Sequence, residues 1–294
     1  MKQLGRVLTA MITPFEPTGE VNVPEAVRVA QFLVERGNDG VVVAGSTGEG
    51  NALETGEKLA LFLAVKKGLG PSGTVIAGTG GNNTRQSIEL TKAAEQCGVD
   101  AVLLTVPAYV KPTQDGMLAH FGAILESTQL PAIIYNIPGR TAANMLPATF
   151  AELCRRHANV AGIKESTGDV NQFTAILRGR ARPDVTFWCG DDYIYLPSLS
   201  VGGYGVISVS GHLVSREIRA MADAFDAGDV DTAARIHQDL APLNTALFTT
   251  TNPIPVKWAM GQYGFDVGVC RSPLGAMPDE LKATLEPLIA PYRP

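Results

Sequence analysis

Lys164 is the residue in this sequence best placed to do chemistry. It closes the apolar run Val160-Ala161-Gly162-Ile163, which is typical of a buried strand, and the polar turn 165–168 follows. An unpaired ammonium ion is costly to bury, so a lysine here either reaches solvent from the strand end or has a task. Burial favours the neutral amine, a nucleophile toward carbonyl carbon atoms. Lys164 is therefore a candidate Schiff-base residue, with an ordinary strand-end lysine as the alternative.

A second lysine has similar surroundings. Lys257 lies in the segment Ile254-Pro255-Val256-Lys257-Trp258, which is equally apolar. Local sequence does not distinguish the two lysines, so other motifs have to decide between them.

The glycine-rich segment 45–50, GSTGEG, follows the apolar run 40–44. Glycines allow the backbone to approach a ligand closely, and the hydroxyls of Ser46 and Thr47 with neighbouring N–H groups can hold a small anion. The P-loop pattern GxxxxGK[ST] is absent, which disfavours a nucleotide phosphate. A carboxylate suits the segment better, because no basic residue adjoins it; a plain tight turn is the alternative.

Further polar residues follow other apolar runs. Tyr135, at the end of the run 132–135, can pass protons through its hydroxyl, and Arg140 in the next loop can bind a carboxylate with two hydrogen bonds. Taken singly, a core tyrosine and a surface arginine are the more ordinary interpretations. The pair Asp191-Asp192 is interpreted as a helix cap rather than a metal site, which would require more carboxylates.

The elements that must position these residues form a regular series. Eight apolar runs predict strands at 6–11, 40–44, 74–77, 101–105, 132–135, 160–164, 186–189 and 205–209. Amphipathic segments between them predict helices at 24–36, 55–69, 84–97, 113–127, 147–157, 170–178, 192–200 and 215–227, with Asn22 capping the first. Eight strand–helix units predict an α/β fold, a (β/α)8 TIM barrel. We expect a catalytic barrel over 1–227 and a C-terminal helical extension over 228–294, with helices at 229–250, 253–263 and 278–290.

Composition excludes several classes of protein. The 294 residues are 45% hydrophobic and 18% charged, with a net charge of -5, which indicates a globular chain. Lys and Arg form no basic stripe, so nucleic acid is not an expected partner. The four cysteines lack a CxxC pair and the four histidines lack HExxH, so neither a metal nor another cofactor is expected. We expect no membrane association and a cytoplasmic location.

In a barrel, the polar motifs after strands 2, 4, 5, 6 and 7 all face one end, which strengthens the assignment of Lys164. Together they resemble the pyruvate-dependent class I aldolase superfamily, and within it the dihydrodipicolinate synthase family. The matching motifs span essentially the whole chain and are Gly45-Ser46-Thr47-Gly48-Glu49, Tyr135-Asn136-Ile137-Pro138-Gly139-Arg140-Thr141, Gly162-Ile163-Lys164-Glu165, Gly203-Tyr204-Gly205-Val206-Ile207-Ser208-Val209 and Asn252-Pro253-Ile254-Pro255-Val256-Lys257.

The resemblance implies a lyase that condenses pyruvate with L-aspartate 4-semialdehyde through a Schiff base, giving 4-hydroxy-tetrahydrodipicolinate for lysine and diaminopimelate biosynthesis. By matching position, Lys164 forms the Schiff base and Tyr135 relays protons at it. Ser46 and Thr47 hold the pyruvate carboxylate and join the relay, and Arg140 binds the carboxylate of the semialdehyde.

Other matched positions have lesser roles. Tyr109 matches a tyrosine that reaches the active site of a neighbouring subunit, and Ile207 matches a residue whose backbone carbonyl lies near the reacting centre. Lys257 matches a position without a catalytic role. The family also implies a homotetramer built from two tight dimers, although dimeric members exist.

Departures from the family pattern affect substrate and regulation. Ser46 replaces the usual threonine, as in the related sialic acid lyases, whereas Arg140 is absent from those lyases and favours the synthase. Ala108 replaces a tyrosine of many lysine-inhibited members, and Asn51 and Lys58 replace a small residue and a histidine. Because a cation at Lys58 repels a cationic effector, we expect weak or absent inhibition by lysine.

Two alternatives to the synthase stay open from the sequence. One is an aldolase acting on a sugar-derived 2-oxo acid, similar to N-acetylneuraminate lyase; Arg140 and Tyr109 argue against it. The other is a catalytically idle barrel that binds small acids; the presence of Lys164, Tyr135 and Thr47 argues against that.

Overall fold

Residues 4–294 are described by a computed structural model, in which eight parallel strands close into a barrel. Each strand pairs with the next in chain order, and β8 pairs with β1. The strands are β1 (Val7–Ala10), β2 (Gly40–Val43), β3 (Thr74–Gly78), β4 (Ala101–Thr105), β5 (Ala132–Asn136), β6 (Val160–Glu165), β7 (Thr186–Cys189) and β8 (Gly205–Ser208). The predicted (β/α)8 barrel is confirmed. Residues 1–3 of the expected 1–227 unit lie outside the described residues.

Helices occupy the connections between the strands and the C-terminal region. They are α1 (Val23–Glu35), α2 (Thr55–Leu69), α3 (Thr84–Gln96), α4 (Gln114–Leu125), α5 (Pro138–Thr141), α6 (Pro147–Arg156), α7 (Val170–Gly179), α8 (Tyr195–Ser200), α9 (Gly211–Asp226), α10 (Val230–Ala246), α11 (Ile254–Gln262) and α12 (Asp279–Ile289). The predicted cap of α1 is confirmed, since Asn22 Oδ1 accepts a hydrogen bond of 3.0 Å from Glu25 N.

The helices differ from the predictions in several places, and the predicted helix 229–250 ends earlier, at Ala246. The four-residue α5 was not predicted, because so short a helix shows no apolar periodicity. The predicted helix 192–200 divides into a 3₁₀ turn at Asp192–Ile194 and α8. The predicted helix 215–227 begins earlier, at Gly211, and Val214 has non-helical dihedral angles where two helical pieces meet.

The strands carry apolar side chains on both faces, which produces two hydrophobic layers. An inner cluster fills the barrel and includes Leu8, Val42, Ile133 and Trp188. An outer cluster, which includes Ile134 of β5, packs between the strands and the helices. Strands buried on both faces need no polar alternation, and this explains their unbroken apolar runs.

A one-residue bulge in β6 decides which side chains face into the barrel. Ala132 of β5 lies opposite Val160, but the next residue, Ile133, lies opposite Gly162, so Ala161 is an extra residue. Ala161 belongs to the inner cluster, while Ile163, two residues later, belongs to the outer one. The bulge therefore shifts the alternation of β6, and Lys164 faces the interior with Tyr135 rather than the helices.

The C-terminal helices pack on the barrel helices. Helix α10 contacts α9, and α12 contacts both α10 and α11. The expected boundary at 227/228 lies between α9 and α10, and its division of the chain into two units stays a prediction. Within residues 4–294, no helix combines the length and apolar character needed to cross a membrane.

His212 connects the segments that follow the first and the last strand of the barrel. Its Nε2 accepts a hydrogen bond of 3.1 Å from Ile12 N, beyond β1, so its Nδ1 carries the proton and donates to Val209 O, beyond β8, at 2.8 Å. The ring is fully buried, and this burial lowers the pKa of His212 to about 4. The folded protein therefore requires the neutral imidazole.

Acidification should destabilise the protein through His212. The unfolded imidazole has a pKa near 6.5 and the folded one about 4, so the unfolded chain binds the proton more readily. The stabilisation is complete above pH 6.5 and is lost as pH falls from 6.5 to 4, by up to about 3 kcal/mol. Urea unfolding of the wild type and of His212→Gln should show a smaller stability difference at about pH 5 than at neutral pH. Parallel stability curves for the two proteins would contradict this account.

Candidate active site

The carboxyl ends of β5 and β6 hold Lys164 and Tyr135 side by side. The two residues are opposite each other in register, and Lys164 is 3% exposed. Lys164 Nζ lies 4.2 Å from the centroid of the Tyr135 ring. Among the described residues, no carboxylate forms an ion pair with this amine, whose close contact is the aromatic face. The arrangement leaves the nitrogen available for a reaction.

Lys257 is buried to a similar extent but has a counter-ion. Its Nζ donates a hydrogen bond of 2.7 Å to Glu49 Oε1 and lies 3.9 Å from the centroid of the Phe15 ring. Burial lowers the pKa of Lys257, and the Glu49 carboxylate opposes this change. Removing one partner of such a buried pair leaves an uncompensated charge, which is strongly destabilising. Lys257 therefore has a structural role, whereas the amine of Lys164 has no such ion pair among the described residues.

The Glu49 carboxylate anchors the turn 45–50 to the C-terminal region. Glu49 has a φ of 54°, a left-handed conformation that non-glycine residues rarely adopt without support. Its Oε2 accepts a hydrogen bond of 2.8 Å from Arg271 N, while Oε1 binds Lys257. Two partners from the C-terminal region thus hold the turn that carries Ser46 and Thr47.

Asn252 connects this turn to the loop that follows β5. Its Nδ2 donates a hydrogen bond of 2.9 Å to Thr47 Oγ1, and its backbone oxygen accepts one of 3.3 Å from Arg140 Nη2. Because the Thr47 oxygen accepts from Asn252, the hydroxyl proton of Thr47 remains free to donate elsewhere. Asn252 thus brings two predicted site residues into one polar unit.

A cavity of about 320 Å³ opens beside this unit, and Ser46, Arg140, Asn252 and Arg271 are among the residues that line it. The Arg271 guanidinium is occupied by Glu57 and by the backbone oxygens of Gly19 and Ala52. Arg140 has the weaker single bond to Asn252 O and is the cation more available to an incoming carboxylate.

The residue after Lys164, Glu165, points to the outer face of β6 and is fully buried. Its carboxylate accepts hydrogen bonds of 2.9 Å from Asn136 Nδ2 and 2.8 Å from Thr167 N, with a longer one of 3.3 Å from Gln172. Burial raises the pKa of Glu165, and these donors oppose the change. The network links β5, β6 and α7 immediately behind the Lys164–Tyr135 pair.

The expected cap role of the aspartate pair holds for one member and is wrong for the other. Asp191 Oδ1 accepts a hydrogen bond of 3.0 Å from Tyr193 N, as a cap does. Asp192 instead receives hydrogen bonds from Ser208 Oγ, Val209 N (2.8 Å) and Ser210 N (3.0 Å). Its carboxylate therefore fixes the backbone beyond β8, next to Ile207 of the inner cluster.

Tyr109 lies on the surface of the chain. It is 90% exposed, has a φ of 71°, and its backbone N–H donates a hydrogen bond of 3.1 Å to Thr141 O. Its neighbour Val110 is also exposed. The bond to Thr141 ties this apolar protrusion to the loop that carries Arg140.

A separate cavity of about 580 Å³ lies between α2 and α3. Lys58, Glu54, Asn82 and Gln86 are among its lining residues. Burial lowers the pKa of Lys58, and Glu54 opposes this change.

The structure places the predicted residues in three groups rather than in one set of contacts. The Lys164 amine contacts the Tyr135 ring, and Asn252 forms hydrogen bonds with both Thr47 and Arg140. Ile207 belongs to the inner cluster. Sequence reasoning did not assign roles to Asn252, Glu165 or Gly190. The first two stand in the quoted motifs Asn252–Lys257 and Gly162–Glu165, a signal that could have found them.

Comparisons with known proteins agree on one family. The model of the dihydrodipicolinate synthetase family matches residues 3–291. A 4-hydroxy-tetrahydrodipicolinate synthase of Moorella thermoacetica is 50% identical over 95% of each chain. Among solved structures, dihydrodipicolinate synthase DapA-2 of Bacillus anthracis has a TM-score of 0.96 at 39% identity, over 99% of both chains. The enzyme of Cyanidioschyzon merolae with lysine bound has a TM-score of 0.96 at 41% identity, covering 98% of this chain and 97% of that chain.

Substitution of Gly190 should displace the side chain of Lys164. A methyl group at this position would lie 2.9 Å from Lys164 Cε and 2.0 Å from Ser166 Oγ, so both side chains must move. We expect Gly190→Ala to slow borohydride trapping of a small 2-oxo acid on Lys164 by about tenfold or more, since an ångström of misplacement is costly. Gly179→Ala is the matched control, because its methyl group would meet open space. Equal trapping rates in both variants, with unchanged melting temperatures, would refute the steric argument.

Proposed function

The chain belongs to the dihydrodipicolinate synthetase family, and we propose that it condenses pyruvate with L-aspartate 4-semialdehyde to give 4-hydroxy-tetrahydrodipicolinate, through a Schiff base on Lys164. The observation that carries this proposal is the buried Lys164 amine at the barrel mouth, which lies against Tyr135 and forms no ion pair among residues 4–294. The other buried lysine, Lys257, is already neutralised by Glu49.

The first half of the reaction takes place at Lys164. The neutral amine attacks the ketone carbon of pyruvate, and the C–N bond forms as the oxygen takes up a proton. That oxygen leaves as water when the C=N bond forms. The protonated imine then accepts the electron pair released as the methyl group loses a proton, which yields an enamine. Tyr135, whose ring contacts Lys164 Nζ, provides a phenol for these proton transfers.

The carboxylate of pyruvate is held by the turn 45–50. Thr47 Oγ1 accepts from Asn252, which leaves its proton to donate to the ligand, and Ser46 adds a second hydroxyl at the cavity. The enamine carbon then attacks the aldehyde carbon of the semialdehyde, whose carboxylate binds Arg140 in the same cavity. Attack by the substrate's own amine on the imine carbon closes the ring and releases Lys164.

We propose further that the protein acts in the cytoplasm as a homotetramer, a dimer of tight dimers. The exposed Tyr109 and Val110 support a subunit contact here, because an aromatic and an aliphatic side chain gain most from burial against a second copy. The contact between Tyr109 and Thr141 would transmit this packing to the Arg140 loop.

The covalent step gives the first test of the proposed function. Incubation with pyruvate and borohydride should attach a reduced pyruvate to the peptide that contains Lys164, and Lys257 should stay unmodified. Lys164→Ala should form no adduct and lose activity by about 10³-fold or more, because the covalent route is removed. Peptide mass spectrometry and an assay with L-aspartate 4-semialdehyde provide the measurements. An adduct on Lys257 would refute the assignment, and turnover with sugar aldehydes alone would favour the lyase-like alternative.

Lysine should inhibit this enzyme weakly or not at all. Lys58 lines the cavity between α2 and α3, and its ammonium would repel the cationic side chain of lysine. We expect initial rates in millimolar lysine to stay close to those without it, and Lys58→Ala to increase sensitivity by about fivefold as one repulsion is removed. Isothermal titration with lysine gives an independent measurement. Strong inhibition of the wild type at sub-millimolar lysine would contradict the proposal.

A further inference from the structure

Ser166 faces the barrel interior on the same side as Lys164. The strand ladder continues beyond β6, because Ser166 N donates a hydrogen bond of 2.9 Å to Asn136 O and Gly190 N donates one of 2.8 Å to Glu165 O. Glu165 points outward, where its carboxylate binds Asn136 and Gln172. Alternation along the ladder therefore returns Ser166 to the inner face.

Gly190 leaves the space that the two side chains share. A Cβ atom on Gly190 would lie 2.0 Å from Ser166 Oγ, 2.9 Å from Lys164 Cε and 3.0 Å from Lys164 Cγ. The Ser166 hydroxyl and the Lys164 side chain thus both lie next to the space that a side chain at position 190 would fill. Since the Lys164 amine rests on the Tyr135 ring toward β5, the Ser166 hydroxyl flanks the lysine chain on the side toward β7.

The Ser166 hydroxyl is buried and has no hydrogen-bond partner among the described residues. A buried hydroxyl without a partner destabilises the folded state relative to a methyl group of similar size. Its position beside the reactive lysine suits a ligand contact, because a group bound at the amine could supply the missing partner.

We propose that Ser166 is a further catalytic residue, whose hydroxyl hydrogen-bonds to the oxygen of the carbinolamine formed on Lys164. This inference rests on the proposed function, since it requires pyruvate to add to the amine. When the C–N bond forms, the keto oxygen gains a proton and becomes a hydroxyl group that must leave as water. A hydrogen bond from Ser166 stabilises the charge that develops on this oxygen, and no proton is lost from the serine.

The test separates catalysis from stability with two serine variants. Ser166→Ala should slow the formation of the pyruvate adduct by about three- to tenfold, the effect of losing one hydrogen bond, while its stability stays equal to the wild type or rises. Ser215→Ala is the matched control, because the buried Ser215 Oγ donates a hydrogen bond of 2.8 Å to Arg36 O on the outside of the barrel. This control should lose stability and keep the wild-type rate of adduct formation. Rapid-quench borohydride trapping with pyruvate alone, together with urea unfolding, gives both quantities.

Each result has a definite meaning. A wild-type trapping rate in Ser166→Ala, or an effect confined to the later step with L-aspartate 4-semialdehyde, would overturn the role of Ser166 while leaving the proposed function intact. Failure of the wild-type protein to form any pyruvate adduct would instead overturn the proposed function. A loss of stability in Ser166→Ala together with a wild-type rate would show a purely structural serine.

Discussion

The structure depends on keeping one amine, that of Lys164, buried at the barrel mouth without an ion pair to any carboxylate of the described residues. Desolvating a lysine is costly, and the protein offsets this cost for Lys257 with Glu49 but not for Lys164. The surroundings of Lys164 must therefore be rigid enough to prevent its side chain from turning outward to water. Packing against Tyr135 on one side and the backbone of Gly190 on the other provides this rigidity.

The C-terminal region contributes to the site as well as to the packing of the barrel. Asn252 binds Thr47 and accepts a hydrogen bond from Arg140, while Lys257 and the backbone of Arg271 bind Glu49. The turn 45–50 needs such support, because Glu49 has a left-handed backbone conformation. A barrel that ended at α9 would lack all these partners, so the helical extension is part of the positioning apparatus.

The sequence allowed the barrel, the approximate strands, the Asn22 cap and the placement of Lys164 at the end of β6 to be predicted, because apolar runs and capping residues act locally. The contrast between Lys164 and Lys257 was not readable from flanking residues, since it depends on Glu49, which is 208 positions away from Lys257. The role of Asp192 was missed for the same reason, as its partners lie 16 to 18 residues further along the chain. The bulge at Ala161 leaves no signature in the apolar run, because alanine and glycine there suit either face.

That bulge determines which side chains at the end of β6 face the barrel interior. If residues 160–165 paired regularly with β5, with no extra residue at Ala161, the same sequence would turn the Glu165 carboxylate toward the barrel axis and the Lys164 amine toward the helices. Substitutions along this stretch keep the number of residues, and loss of the extra residue itself would leave Lys164 opposite Tyr135. The group that reaches the barrel interior is thus set by one irregular pairing between neighbouring strands, and not by the order of residues alone.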